Sequence, residues 1–255
     1  IDGNFTISSS GTWDTSDFCM YGNKIPGSGT LINPIPTLSS SSPTDGATGV
    51  VGTANIVLTF SEAVDVESGN IILYKSSDGS TVETIAVTNS KVTGTGTTEI
   101  TINPTDDLSS STGYYLTIAT TAFDDSSGNS YAGITNATTL NFTTVDVSAP
   151  TLSSSTPSDD ATGVSATANI VLTFSEAVDV ESGNIVIKKT SDDSTIETIA
   201  VTNSTVTGTG TTTITINPTD DLDSATGYYL NIAATAFDDS SSNSYAGITD
   251  RTSVE

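Results

Sequence analysis

Acidic side chains form two kinds of cluster in this sequence, and each kind occurs twice. One kind has two glutamates with an aspartate between them, and the other has two adjacent aspartates followed by an asparagine. Ca²⁺ binds carboxylate and amide oxygens, about six to eight at a site. The predicted Ca²⁺ ligands are Glu62, Asp65, Glu67, Asp124, Asp125 and Asn129, and again Glu176, Asp179, Glu181, Asp238, Asp239 and Asn243. A solvated acidic loop that binds no metal is the alternative interpretation.

The second kind of cluster differs from a helix–loop–helix calcium loop. Counted from Asp124, position twelve is Thr135, where an EF-hand requires glutamate. Gly128 of the first copy is replaced by Ser242 in the second, which calls into question a tight turn at that position. An EF-hand is therefore excluded.

Catalytic chemistry has little support in the composition. The sequence has no histidine, so a Ser-His triad is excluded, and the single cysteine, Cys19, has no histidine partner. Paired carboxylates at Asp106-Asp107 could serve glycoside hydrolysis in principle. The same pair recurs at Asp220-Asp221, and such a duplication favours turns over an active site. We predict that the chain is not an enzyme.

An internal repeat defines the domain organisation. Thr53–Ile71 returns letter for letter as Thr167–Ile185, an offset of 114 residues. Self-similarity at a fixed offset indicates repeated structural units. We predict an N-terminal extension over residues 1–36, one domain over 37–149 and a second copy over 150–255.

Each copy has the pattern of an all-β domain. About seven short β-branched runs are separated by turn residues, which is typical of a Greek-key β-sandwich. In the first copy, Asn55–Phe60 and Asn70–Lys75 are predicted strands, and Ser61–Gly69 between them is a predicted loop. Tyr114, at the start of the predicted strand Gly113–Ala119, is expected to be a buried corner residue bonded to the preceding turn. The predicted fold class is two tandem Ig-like sandwiches.

Several motifs of the repeat occur in the order seen in a known family. They are P-x-D-G-A-T-G-V, I-V-L-T-F-S-E-A-V-D, S-D-G-S-T, L-x(5)-Y-Y and F-D-D-S-S-G-N-S-Y-A-G. The sequence resembles the bacterial immunoglobulin-like domains of S-layer proteins, adhesins and surface-attached enzymes. The resemblance implies a sandwich that serves as a spacer or adhesive module, often in tandem and in some members stabilised by Ca²⁺. Residues 1–36 lie outside it.

The two copies do not contain the same strands. The first copy includes a final predicted strand, Thr139–Val145, whose counterpart in the second copy is absent apart from Ser253-Val254. The segment Asn4, Phe5, Thr6 and Ile7 resembles this strand, with Phe5 matching Phe142. We predict an N-terminal donor strand that completes the second domain of another copy of this chain, giving a head-to-tail filament. The alternative is a spacer or adhesive segment of a larger surface protein whose missing strand lies downstream.

Charge restricts the partners. The chain has 6 basic and 30 acidic residues, a formal net charge of −24 at pH 7. A polyanion repels nucleic acid and anionic lipid, and no apolar run of about 18 residues is present to span a membrane. We therefore predict no nucleic-acid partner and no membrane insertion. The resemblance to bacterial immunoglobulin-like domains implies an extracellular, cell-surface protein. Glycan is also expected, at the sequons Asn4, Asn136, Asn141 and Asn203.

Overall fold

The computed structural model describes residues 33–249. In the first domain, short runs rich in Val, Ile, Thr and aromatic residues form ten strands, because such side chains pack well on a pleated surface. These strands are β1 (Leu38–Ser42), β2 (Ala47–Val50), β3 (Ile56–Val66), β4 (Asn70–Lys75), β5 (Thr81–Ala86), β6 (Val92–Thr93), β7 (Thr97–Ile102), β8 (Gly113–Ile118), β9 (Phe123–Asp124) and β10 (Asn141–Thr144).

The ten strands form two sheets that face each other across one core. One sheet has the order β1-β3-β7-β6, with β9 also paired to β3, and the other has the order β2-β10-β8-β4-β5. All pairs are antiparallel except β10 with β2, which are parallel. The predicted all-β sandwich class is confirmed.

Alternation along the strands places one face of each sheet in the core. Ile56, Leu58 and Phe60 of β3 are buried, whereas the residues between them are half-buried. The Phe60 ring lies 5.4 Å from that of Phe123 and 5.1 Å from that of Tyr131, measured between centroids. The Phe60–Tyr131 contact is edge-to-face, and a contact of this kind adds about 1 kcal/mol to the burial of the rings.

The predicted loop Ser61–Gly69 is wrong over most of its length, because β3 continues to Val66. The register of β3 against β7 shifts between Thr59 and Val64. A bulge lets a strand continue while its side-chain alternation is interrupted. The polar residues Ser61 and Glu62 fall within this irregularity, so the alternation that marks a strand is lost there.

The second domain has eight strands among the described residues. They are β11 (Leu152–Thr156), β12 (Ile170–Val180), β13 (Asn184–Lys189), β14 (Thr195–Ala200), β15 (Val206–Thr207), β16 (Thr211–Ile216), β17 (Tyr228–Ile232) and β18 (Phe237–Asp238). The sheet β11-β12-β16-β15, with β18 paired to β12, repeats the first sheet of the first domain. The other sheet is β14-β13-β17, three strands where the first domain has five. Within residues 33–249 no helix is long and apolar enough to cross a membrane.

At Gly94 in the first domain, the backbone lies closer to the backbone of Glu99 than a residue with a side chain would allow. Its φ is +103°, and a Cβ added there would collide with the carbonyl oxygen of Glu99. Gly46 also has a positive φ, +72°, but an added Cβ would have no heavy atom within 4 Å. Substituting these glycines therefore distinguishes two costs: backbone strain alone at Gly46, and backbone strain plus steric collision at Gly94.

We expect Gly94→Ala to lower the free energy of unfolding by about 3 kcal/mol or more, because strain and collision act together. The control Gly46→Ala should cost only about 1 kcal/mol, from the left-handed backbone alone. Denaturant unfolding followed by circular dichroism measures both. Equal losses in the two variants would contradict the collision.

Candidate functional site

Strand β10 closes one edge of the first domain by inserting between two other strands. It pairs antiparallel with β8 on one side and parallel with β2 on the other. The register sets Phe142 opposite Tyr114 and Asn141 opposite Tyr115. Phe142 is 2% exposed, and its ring centroid lies 5.9 Å from that of Tyr114. Thus β10 completes both the sheet and the core.

Asn141 attaches β10 to the turn that precedes β2. Its backbone nitrogen and its side-chain amide both donate to Oδ1 of Asp45, at 3.0 and 2.7 Å. The backbone nitrogen of Gly46 donates to the carbonyl oxygen of Asn141 at 2.8 Å. These three hydrogen bonds allow one register of β10, because a shift along the strand would remove Asn141 from Asp45.

Tyr114 anchors the turn before β8 in the way that the sequence predicts. Its ring is buried, and its hydroxyl oxygen accepts a hydrogen bond from the backbone nitrogen of Ser109 at 2.9 Å. Tyr228 repeats the contact in the second domain with the backbone nitrogen of Asp223, at 2.8 Å. The predicted corner tyrosine is confirmed.

The corresponding edge of the second domain is open among the described residues. There β17 pairs with β13 alone, apart from a bridge between Ile232 and Ile248 at its far end. The Tyr228 side chain is half-buried, whereas its counterpart Tyr114 is 1% exposed. Residues 161–164, the counterpart of β2, form no strand, and Val164 is 45% exposed. The predicted donor segment, Asn4 to Ile7, lies outside the described residues.

The predicted metal ligands of each copy separate into three places. Glu62, Asp125 and Asn129 lie together beside Asn33, whose side-chain amide donates to Oδ2 of Asp125 at 2.7 Å. Asp65 instead lies opposite Asp124 in the pairing of β3 with β9, and Glu67 is exposed. The second domain repeats this: Asp179 lies opposite Asp238, and Glu181 is exposed. The six predicted ligands of each copy are therefore divided among three places in the described structure, and metal binding stays a prediction.

A carboxylate cluster forms where the two domains join. One oxygen each from Asp146, Glu176 and Asp239 lie within 4.8 Å of one another. Asp146 comes from the linker that follows β10, and Ser110 of the first domain donates to its Oδ1 at 2.9 Å. The Asn243 amide donates to Oδ2 of Asp239 at 2.9 Å and to the carbonyl oxygen of Asp146 at 3.3 Å. We call these three carboxylates the junction cluster.

Asp146 was not identified from the sequence, because its partner at the 114-residue offset is Ile32. Its structural counterpart is Asn33, one residue later. The backbone carbonyl oxygen of Asn33 accepts a hydrogen bond from the Asn129 amide, as that of Asp146 does from the Asn243 amide. The first domain thus has two carboxylates and an amide where the second has three carboxylates.

Burial and hydrogen bonding act in opposite directions on these acids. Burial raises the pKa of Glu176, and the negative charges of Asp239 and Asp146 raise it further. Burial also raises the pKa of Glu62, helped by Asp125 and opposed by the Asn33 amide. For Asp239, burial would raise the pKa, but hydrogen bonds from Asn243 and Ser241 outweigh it and hold the pKa below its usual range. Of these three acids, the two glutamates are thus the ones whose negative charge is least stabilised by nearby hydrogen-bond donors.

Ser242 preserves the turn that glycine makes in the first copy. Its φ is +65°, close to the +80° of Gly128, and its backbone nitrogen donates to the Asp239 carbonyl oxygen at 3.0 Å. The substitution therefore does not remove the turn.

Comparison with known proteins agrees with this geometry. The sequence pattern of the bacterial Ig-like domain matches residues 33–144 and, a second time, residues 146–253. This chain belongs to the bacterial Ig-like domain family. The resemblance inferred from the motifs is therefore confirmed. The two bacterial Ig-like domains are structural modules and not enzyme domains, which supports the prediction of a non-enzyme.

A solved structure and the curated proteins complete the comparison. The crystal structure of the S-layer protein rSbsC(31-844) is similar over 76% of this bacterial Ig-like chain, with 12% sequence identity and a TM-score of 0.29. This chain spans 25% of the length of that protein. No curated protein sequence matches this chain.

The remaining predicted sites differ in how accessible they are. Asn136 and Asn203 are exposed sequon residues, whereas the Asn141 amide is already hydrogen-bonded to Asp45. Asn4 lies outside the described residues. The aspartate pairs considered for catalysis are exposed in both bacterial Ig-like domains, in the segments after β7 and β16. Glycosylation stays a prediction.

We expect Phe142→Ala to cost the first domain about 3–5 kcal/mol, because it removes a buried ring where β10 closes the core. The conservative control Phe142→Leu should cost under about 1.5 kcal/mol. Hydrogen exchange read by mass spectrometry distinguishes the domains: protection should fall in peptides covering β8 and stay unchanged in those covering β17. Equal protection of β8 in Phe142→Ala and the parent would contradict this role for β10.

Proposed function

We propose that this chain is a structural subunit of an extracellular surface filament whose subunits join head to tail by strand donation. The observation that carries the proposal is the edge of β17, which has no second strand partner among residues 33–249 where β8 has β10. An edge of this kind presents a row of backbone groups to any extended segment that can pair with it.

The first domain supplies the register of the proposed contact. Residues Asn4, Phe5, Thr6 and Ile7 take the places of 141–144, so Phe5 lies opposite Tyr228 and Asn4 opposite Tyr229. Phe5 then packs on the half-buried Tyr228 ring as Phe142 packs on Tyr114. Strand addition of this type combines backbone hydrogen bonds with a pocket for each alternate side chain.

The match has two differences. Ile7 stands where Thr144 stands, and Thr144 donates its hydroxyl hydrogen to the carbonyl oxygen of Ser109 at 2.6 Å. Ile7 replaces that hydrogen bond by apolar burial. At the repeat offset the acceptor chain itself has Val254 and Glu255 at the places of Leu140 and Asn141, so Gly3 and Asn4 of the donor would have to displace these two residues.

The geometry of donation determines the type of assembly. The donor is at the amino-terminal end of one copy, and the acceptor is in the second domain of the next. Such a contact joins two different surfaces, and repeating it without closure gives an open filament. The partner is therefore another copy of this chain, and the strong negative charge supports neither nucleic acid nor inserted membrane as a partner.

A spacer or adhesive segment of a larger surface protein is the second candidate. In the first domain the closing strand follows directly in the same chain, so residues beyond the second domain would close β17 in the same way. The tandem of two bacterial Ig-like domains supports either candidate.

We expect the intact chain to form fibres visible by electron microscopy, and a variant lacking residues 1–8 to remain monomeric. Phe5→Ala should act like the deletion, because it removes the side chain that fills the pocket beside Tyr228. The matched control is Thr6→Ala, whose counterpart Thr143 is only half-buried, and it should assemble like the parent. Sedimentation velocity gives the fraction assembled. Monomers from all four proteins would exclude strand donation and favour the spacer.

We also propose that the junction cluster binds Ca²⁺ and stiffens the connection between the domains. Three carboxylate oxygens lie close enough to share one cation, and charge repulsion among them is relieved when it binds. Asn33 gives the first domain one carboxylate fewer, so its site should be weaker. Glu62 still has a buried oxygen, Oε1, with no hydrogen-bond partner among the described residues.

We expect Ca²⁺ at one hundred times its dissociation constant to stabilise the parent by about 2.7 kcal/mol. Glu176→Gln should lose most of this gain and be at least as stable as the parent in chelator, because it removes a repelled charge. Glu62→Gln, in the first domain, is the matched control and should keep the gain. Thermal unfolding with Ca²⁺ and with chelator measures each. An equal Ca²⁺ response in all three proteins would indicate general charge screening and contradict a site.

A further inference from the structure

We propose that the outer face of the sheet β2-β10-β8-β4-β5 binds an uncharged polysaccharide, with the tyrosine pair Tyr74 and Tyr115 as its stacking surface. Every residue of this binding face lies in the first domain and among the described residues, so the proposal does not depend on strand donation. It adds a ligand to the surface protein, whether the chain is a filament subunit or a spacer.

The tyrosine pair is built by the register of two neighbouring strands. Tyr74 of β4 lies directly opposite Tyr115 of β8, and both side chains are half-buried. The ring centroids are 4.9 Å apart and the ring planes differ by 13°, so the two rings are stacked. Each ring covers one face of the other and leaves the rest of its exposed surface to a ligand. Because the stack fixes both rings before a ligand arrives, binding costs less conformational entropy.

The hydroxyl groups of the pair are open to a ligand. Within residues 33–249, neither hydroxyl forms a hydrogen bond to a side chain or to the backbone. The Tyr115 hydroxyl oxygen lies beside Gly79 of the β4–β5 turn, 3.7 Å from the place where a Cβ would stand. A phenolic hydroxyl both donates and accepts hydrogen bonds. The pair therefore presents aromatic surface and two polar groups side by side.

The second domain has lost this arrangement at the same positions. Lys188 stands where Tyr74 stands, and it lies opposite Tyr229, the counterpart of Tyr115. Tyr229 is 6% exposed, and its hydroxyl donates to Oδ1 of Asp193 at 3.2 Å. Asp193 is the counterpart of Gly79. Among the described residues, the half-buried tyrosine pair with open hydroxyls is thus a feature of the first domain.

The side chains around the pair are uncharged. Asn141 of β10, Tyr115 and Tyr74 form one row across three strands, and a spacing of about 4.8 Å between strands makes the row about 10 Å long. The neighbouring outward-facing residues are Ile72, Thr84, Thr117 and Thr143. In a chain of net charge −24, a face without charged side chains is the part of the surface best matched to an uncharged ligand.

A polysaccharide has the two kinds of surface that this face complements. The C–H groups of a sugar ring pack against an aromatic ring, and its hydroxyl groups exchange hydrogen bonds with hydroxyl and amide groups. The face is an open sheet surface and not a cavity, so it suits a chain that lies across it better than a small molecule that needs to be enclosed. Several copies displayed on one surface would bind a long polymer at several points and so raise the total affinity.

The test measures depletion of the full-length chain from solution by insoluble cellulose, chitin and starch. Chelator is present, and protein that sediments without polysaccharide is subtracted. The parent should be depleted by at least one of these three uncharged polymers. Tyr115→Ala should lower the affinity about tenfold, because it removes one of the two stacked rings.

A second variant keeps both rings and uses the residue of the second domain. Gly79→Asp should lower the affinity by a similar factor, because the new carboxylate accepts from the Tyr115 hydroxyl and adds a charge to the face. The turn accommodates it, since φ is +69° at Gly79 and +58° at Asp193. The matched control is Lys188→Ala, which changes the corresponding face of the second domain and should bind like the parent. Thermal unfolding checks that each variant is folded.

The outcomes are decisive in both directions. Depletion of the parent by none of the three polymers, or equal depletion of the parent and both first-domain variants, would overturn the proposal. A loss confined to Tyr115→Ala and accompanied by a lower unfolding temperature would indicate misfolding and would also overturn it. Dimers of the parent that Gly79→Asp dissociates, seen by sedimentation velocity in the absence of depletion, would show that a second copy covers this face instead. Weaker binding in both folded variants, with Lys188→Ala unchanged, would support the proposal.

Discussion

A β-strand at the edge of a sheet has one row of backbone groups without a strand partner, and among residues 33–249 the two domains meet that constraint differently. In the first domain, β10 lies between β8 and β2 and supplies both with partners. In the second, β17 has a strand on one side only among the described residues. Beside this edge, Tyr228 and Val164 are more exposed than their counterparts Tyr114 and Val50, and residues 161–164 form no strand.

The internal repeat makes the first domain a reference for the second. Where the sequence is the same, as in β3 and β12, the burial pattern is the same. Where the burial differs, as between Tyr114 and Tyr228, the residue type is unchanged and the surroundings account for the difference. The comparison therefore isolates the contribution of a single strand to the packing of a sandwich.

Local sequence pattern was sufficient for most of the fold. The bounds predicted for Asn70–Lys75 are those of β4, because this run is flanked by turn residues. The second half of β3 was missed because a bulge interrupts its alternation. Strand β2, Ala-Thr-Gly-Val, has no strand signal of its own and depends on β10 beside it. Its conformation is a tertiary effect that propensity does not contain.

The candidate sites were predictable in composition but not in grouping. The repeat correctly indicated that acids recur in pairs, and the structure brings Glu176 and Asp239 together while Glu181 lies apart. Asp146 joins them from the linker between the domains. The residue 114 positions earlier, Ile32, is not acidic, so the repeat did not point to Asp146. A residue that acts through its position between two folded units has no signal in either unit taken alone.

The linker between the domains is short and is bonded on both sides. Val147 donates its backbone hydrogen to the Ser110 hydroxyl oxygen at 2.9 Å, and the carbonyl oxygen of the preceding Asp146 accepts from Asn243 at 3.3 Å. A chain under tension would have to break these hydrogen bonds before the linker could lengthen. Under load, the linker would therefore lengthen only above the force that ruptures these two hydrogen bonds.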